Sequence, residues 1–281
     1  MKIIFSRKGF DSGYGGLPNL ILPDGRLLFF PIPDKLSKIK YRDIKTPLEC
    51  YSNLFEVLED LNVKKIKEYY NAHLDPDLYF GSIPREHLWR PLFGQEGIAL
   101  RHLQKQDVGK GDLFLFFGRF QKTIWDKKKI VYDKSEKDIH ILFGYFCIGE
   151  IVDLGKPIPS EYSWVKYHPH IHSMKTPNNI FIASKTFKIN NTRFDGAKVF
   201  DNYSEKLRLS IYNNTKRVWK LPKWFYPFDH GRPPLTYHLK QARWRLNEDY
   251  TELQSADKGQ EFVLDVDFYP EWEKWALQLL S

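Results

Sequence analysis

The chain has 281 residues, 42% of them hydrophobic and 28% charged, a balance that sustains a packed core and excludes a disordered tail or a fibrous repeat. Its formal charge of +8 points to a polyanionic partner, because basic side chains displace condensed counterions from a phosphate backbone. No apolar run approaches the roughly 20 residues that span a bilayer, and Met1 to Lys8 is charged too soon for a secretory signal, so a cytoplasmic protein with no membrane partner is expected. Cys50 and Cys147, without a C-x-x-C, exclude a disulfide framework and a cysteine zinc site, and both are expected to be buried thiols.

In chain order, Lys2 to Phe5 reads as a strand that runs into a glycine-rich loop from Gly9 to Gly16. After the turn Pro23-Asp24-Gly25 a second strand is expected over Arg26 to Ile32, giving the first forty residues the look of a hairpin. Helical spacing of Leu54, Val57, Leu58 and Leu61 predicts a helix within Leu48 to Tyr70, and another is expected over Gly97 to Lys105. Leu113 to Phe120 and Ile139 to Val152 read as buried strands flanking an exposed charged loop, Asp126 to Asp138. Strands are also expected at Asn179 to Ala183, Leu207 to Ile211 and Glu261 to Val266. A final helix is expected over Pro270 to Leu280, with Trp272, Trp275 and Leu279 inward. The sum is one α+β domain over residues 1–281, with a mainly antiparallel sheet or partly open barrel and peripheral helices.

GDLFLFFGRF and IHILFGYFCIGEIVDL resemble the central strands of PUA-like barrels, including the EVE and ASCH relatives. That resemblance implies a PUA-like strand core over about residues 109–215 and a non-catalytic reader of modified bases. Seven phrases spread along the chain resemble the third family of nucleotide modification associated domains: FSRKGFDS (Phe5 to Ser12), LPDGRLLFFPIPD (Leu22 to Asp34), HLDPDL (His73 to Leu78), WRPLFGQEG (Trp89 to Gly97), GDLFLFFG (Gly111 to Gly118), LPKWFYP (Leu221 to Pro227) and GQEFVLD (Gly259 to Asp265). This second resemblance implies a component of a nucleic-acid base or nucleotide modification pathway, and it brings no catalytic residues with it.

Ser6, Arg7, Lys8 and Asp11 lie between a strand and a glycine-rich loop, where two cations and a carboxylate can hold a phosphate and a polar base edge. Arg85, Arg90, Gln95 and His102 surround Trp89 and Phe93, and Trp224, Tyr226, His230, Arg232, His238, Arg243 and Arg245 form the densest aromatic and basic stretch. Both groups are candidate nucleic-acid surfaces, since cations contact phosphates while rings stack on bases. The partner expected is nucleic acid, DNA rather than RNA, or a nucleotide.

For chemistry, His168, His170 and His172 alternate, so an extended backbone would aim all three imidazoles at one divalent metal. His73-x-Asp75 matches the first two ligands of the iron and 2-oxoglutarate oxygenase pattern, in which a distal histidine completes a facial triad, giving a metal-dependent base-modifying oxygenase as a further reading. Gln260, Glu261 and Asp265 enter a strand as acid or base candidates, although a solvated strand face is the simpler expectation. The sequence has no G-x-x-x-x-G-K-[ST] loop, G-x-G-x-x-G fingerprint or G-x-S-x-G elbow, which argues against P-loop hydrolysis and serine hydrolase chemistry.

Overall fold

The computed structural model describes residues 1–63, 66–67, 70–212, 214–257, 259 and 261–281. Its strands are β1 (Lys2–Arg7), β2 (Asn19–Ile21), β3 (Leu27–Leu28), β4 (Ile32–Pro33), β5 (Ala72–His73), β6 (Leu92–Glu96), β7 (Leu113–Asp126), β8 (Lys129–Tyr132), β9 (Ile139–Asp153), β10 (Asn178–Ala183), β11 (Thr186–Ile189), β12 (Thr192–Asp195), β13 (Ala197–Val199), β14 (Val218–Pro222), β15 (Trp244–Leu246), β16 (Tyr250–Gln254) and β17 (Glu261–Asp265). The α-helices among the described residues are α1 (Leu54–Asp60), α2 (Gly97–Lys105) and α3 (Trp272–Leu280).

The main sheet runs β17-β1-β7-β9-β10-β6, with β2, β8 and β13 on its flanks. Its pairs are antiparallel except β1 with β7 and β2 with β7, which are parallel. The strands β7 and β9 carry near-continuous apolar runs because both of their faces are covered. On the inner face Phe93 is fully buried among Phe114, Phe116, Phe146 and Phe181, with ring centroids 4.7–5.4 Å away. On the outer face Leu92, Ile180 and Ile182 pack with Trp164 and Val165 of a 3-10 segment, Ser160–Tyr167. The sheet curls into a half-barrel, and register shifts at Phe116/Phe117 and Ile182/Ala183 mark irregularities of the kind that bend strands.

Curling brings the two outer strands of this order, β17 and β6, towards each other. They are joined by a side-chain hydrogen bond from Gln95 Nε2 to Glu261 Oε1, and α2 packs against β17 beside it. A separate cluster, including Leu20, Phe30, Tyr41, Val57, Leu58 and Ile130, surrounds α1.

Several expectations change. The hairpin of the first forty residues is only β2 with β3, since β1 leaves to sit between β7 and β17 and β4 pairs with β5. The helix expected within 48–70 is the seven-residue α1, capped by Asn53 accepting from the Phe55 and Glu56 amides and followed by Asn62 at φ 56°. Part of that range, residues 64, 65, 68 and 69, lies outside the described residues. The charged loop contains β8, which folds back on the end of β7. Leu207 to Ile211 forms no strand and touches its neighbours through isolated bridges at Arg208 and Ser210. Cys50 is exposed, whereas Cys147 is buried. The strands of residues 109–215 do not close on themselves, because β1, β2, β6 and β17 complete their sheet.

Three buried histidines each accept a hydrogen bond on a ring lone pair: His140 Nδ1 from the Trp219 indole, His238 Nε2 from the Ala256 amide and His168 Nδ1 from the His170 amide. Burial is the largest cause pushing them down, to about 3 for His140 and about 4 for His168 and His238. In the unfolded chain each would titrate near 6.5, so as pH falls below that value the unfolded state takes up protons that the folded state refuses. Stability should therefore fall from about pH 6.5 towards pH 4, at up to about 1.4 kcal/mol per pH unit for each histidine. Urea denaturation across this range checks it. A flat profile would show that these rings are not held neutral.

Candidate metal centre

The site is assembled at one end of the half-barrel. Pairing of Ile32 with His73 fixes β5 against β4 and sets Asp34 beside His73. Along His73-Leu74-Asp75 the polar side chains face the cleft while Leu74 is buried in the α1 cluster. A short 3-10 turn, Pro169–His172, packs on β6 and β10 and brings in His170.

Hydrogen bonds fix the rings. His73 Nδ1 lies 2.7 Å from Asp34 Oδ2, and a carboxylate can only accept, so the neutral ring donates from Nδ1 and keeps its lone pair on Nε2. His170 Nδ1 lies 2.9 Å from Asn178 Oδ1. The Asn178 amide is oriented by its Nδ2 donating to His170 O at 2.8 Å, so His170 also donates from Nδ1 and keeps its lone pair on Nε2. Between them stands Asp75, 8% exposed, whose Oδ1 accepts from the Gly94 amide at 2.7 Å and whose Oδ2 is 3.1 Å from Lys8 Nζ. Ligand-capable atoms of His73, Asp75 and His170 all lie within 4.8 Å of one another.

The electrostatics suit a cation. Burial acts to raise the Asp75 carboxyl, but Lys8, followed by the neighbouring His168, outweighs it and holds the group well below the usual range. Burial pushes His170 down and favours its neutral, ligating form. Behind the trio, His168 Nε2 is 3.5 Å from Asp75 Oδ1. Because His168 Nδ1 accepts from the His170 amide, Nε2 is the protonated nitrogen and turns its N–H towards Asp75. The cleft in front has a volume of about 770 Å³ and includes Lys8, Asp11, Tyr14, Gln95, Arg101 and Lys175 in its walls.

The sequence candidates divide. Glu261 is 1% exposed and joined to Gln95, which corrects the expectation of a solvated strand face; Asp265 is half-buried opposite Lys2, and Gln260 lies outside the described residues. The 168–172 stretch is helical rather than extended, so His170 joins His73 and Asp75, His168 stands behind, and His172 falls outside the trio. Ser6 is buried, Arg7 donates to the Ala256 and Asp257 carbonyls, and Asp11 accepts from the Gly13 and Tyr14 amides, while Arg7, Lys8 and Asp11 all line the cleft. Arg85 is paired with Asp77 and covered by Trp89 and Tyr167, while Arg90 donates to Ala183 O and lines a separate cleft. His102 faces Thr236.

The expected 224–245 surface is divided between core packing and solvent. Trp224 stacks on Phe225 at 4.1 Å, Tyr226 packs against the main core and His238 is fully buried. Arg232 pairs with Glu271, and Arg243 donates to Gln254 O; His230 and Arg245 are exposed. Sequence reasoning missed Asp34, Gly94, Glu96 and Asn178. Three of them lie inside quoted phrases, LPDGRLLFFPIPD and WRPLFGQEG, but nothing in spacing alone distinguishes a residue that orients a ligand from a residue in a turn.

Gly94 is required by space. A Cβ placed there would meet the His170 ring at 2.3 Å, and the ring is hemmed in by Asn178. Gly94→Ala should lower unfolding free energy by about 1–3 kcal/mol, the usual cost of overpacking, and shift the His170 ring resonances. Urea denaturation and imidazole NMR read the two effects. An unperturbed His170 would show that the close approach is not what seats it.

A family model for nucleotide modification associated domain 3 matches residues 2–265. No curated protein and no solved structure matches the chain. The match takes in every strand among the described residues and all three members of the trio, and the chain belongs to the nucleotide modification associated domain 3 family.

Proposed function

We propose that the chain is a divalent-metal-dependent enzyme of a nucleotide or nucleic-acid base modification pathway, with His73, Asp75 and His170 as ligands and the cleft before them as the nucleotide pocket. The observation that carries this reading is the fixed orientation of the two rings beside Asp75: each imidazole donates from Nδ1 to a backing side chain and keeps its Nε2 lone pair, His73 Nε2 lies 3.8 Å from Asp75 Oδ2, and the ligand-capable atoms of all three residues lie within 4.8 Å of one another. Carboxylate or amide support behind a histidine is the usual outer shell of a metal site, setting the tautomer and raising ligand basicity. Two imidazoles and one carboxylate leave coordination positions open for substrate and co-reactant, as in non-haem iron oxygenases. His73-x-Asp75 followed by the distal His170 has the ligand order of that oxygenase pattern, which favours oxidation of a base as the reaction.

The family supplies the context of nucleotide modification, and the cleft supplies cations for a phosphate or an anionic co-substrate, Lys8, Arg101 and Lys175. A reader without chemistry would need an aromatic cage, and Trp224, Tyr226 and Phe228 of the ring-rich 224–245 segment rest against the core instead. DNA, RNA and free nucleotide all offer the chemistry that this cleft would take.

Protein purified and reloaded with Fe(II) or Mn(II) should bind about one metal per chain. His73→Ala and His170→Ala should abolish retention, Asp34→Asn should weaken affinity about 10–100-fold, and His172→Ala should leave it unchanged. Elemental analysis with competitive titration measures all four. Loss of metal in His172→Ala but not in His73→Ala would overturn the assignment.

A further inference from the structure

Glu261 opens β17 with 1% of its surface exposed, and burial raises its carboxyl above the ordinary range despite Lys8 nearby. An ionisable group so placed is costly to retain. Its Oε1 accepts from Gln95 Nε2, and the Ser6 hydroxyl stands beside the same carboxyl; neither Ser6 Oγ nor Glu261 Oε2 completes a hydrogen bond. The other end of the Gln95 amide is also fixed, because Oε1 accepts from the Glu96 amide N–H at 3.2 Å. A glutamine amide can usually exchange its two ends, but here an acceptor holds the nitrogen and a donor holds the oxygen.

After these bonds Gln95 retains one Nε2 hydrogen and one Oε1 lone pair. It lines the cleft next to Gly94, whose amide holds the Asp75 ligand. A phosphate or carboxylate offers acceptors alone and cannot use the Oε1 lone pair. A nucleobase edge offers a donor and an acceptor side by side, which a glutamine amide matches bidentately.

The geometry points to Gln95 as the residue that reads an edge of the target nucleobase in the cleft, with Glu261 as the positioning residue that sets the order of its donor and acceptor. This rests on the nucleotide reading of the cleft, and it assigns the pair a specificity role beyond joining β6 to β17. The group that touches substrate is Gln95, and Glu261 acts through it.

The decisive variant exchanges the pair. Gln95→Glu with Glu261→Gln keeps one amide and one carboxylate in contact across the seam, but it presents the cleft with acceptors only. Wild type, Glu261→Gln and the exchanged double variant are titrated calorimetrically with the four deoxynucleoside 5′-monophosphates, with and without Mn(II). Wild type should favour one base by on the order of tenfold or more. Glu261→Gln should flatten that preference, and the exchanged variant should recover wild-type thermal stability yet lose the preference. Recovery of both stability and base preference in the exchanged variant would reduce the pair to a structural seam and overturn the proposal. Equal affinity of wild type for all four bases would also overturn it while leaving a nucleotide cleft intact, whereas no binding of any of them would remove both. Metal content of the same samples reports separately on His73, Asp75 and His170.

Discussion

One carboxylate ties the assembly together. Asp75 takes a hydrogen bond from the backbone of β6 through Gly94 and an ion pair from Lys8 just past β1, and His168 Nε2 of the 3-10 region stands 3.5 Å from its Oδ1. These are three separate parts of the chain, distant in sequence, converging on two oxygens that are 5% accessible at the side chain. Removing one partner of such a buried charge leaves the others uncompensated, and that typically costs about 3–5 kcal/mol. The arrangement is therefore a fixed frame, and the orientation of His73 and His170 is set against it.

The frame lies where it does because the sheet stops short of closing. A barrel would satisfy the outer strands by backbone hydrogen bonds, whereas here β6 and β17 meet through Gln95 and Glu261. Side-chain closure leaves room for β5, Pro169–His172 and the Gly9–Gly16 loop to gather at one end, and the 770 Å³ cleft is the space they enclose. Phe93 shows how tightly this is coupled to the core. Its ring is central to the inner aromatic cluster and carries Lys8 Nζ 5.1 Å above its centroid, so the cation that faces Asp75 also rests on the core.

Much of this fold was legible in the sequence because burial writes a pattern. The runs at Leu113 and Ile139 are apolar on both faces and form central strands, and Gly97 to Lys105 has the spacing of the observed α2. What failed was long-range. Nothing in Lys2 to Arg7 says that its partners are residues 113–117 and 261–265 rather than the next strand, since parallel pairing requires a distant crossover. At the site, His73-x-Asp75 is readable as a candidate ligand pair, but which of His168, His170 and His172 stands beside it is not, because the three differ only in how a 3-10 turn aims them. The aromatic and basic richness of 224–245 is ambiguous for a related reason: composition does not record whether a ring is outside, as Tyr237 is, or packed on Phe225 and Trp275, as Trp224 is.

The net charge of +8 also acquires a different meaning once partners are visible. Arg7, Arg85, Arg232 and Arg243 are all engaged by carbonyls or carboxylates, so these four cations serve as internal support. Within the cleft the charges balance. With neutral imidazoles, the four carboxylates Asp11, Asp34, Asp75 and Glu96 are matched by Arg7, Lys8, Arg101 and Lys175. A divalent cation would turn that balance into a positive centre, and the exposed Arg101 and Lys175 at the rim would extend it towards the entrance. An anionic nucleotide would then be drawn by the metal and its rim, while the edge of its base met the neutral amide of Gln95. Attraction and discrimination would thus reside in different groups, one charged and one uncharged.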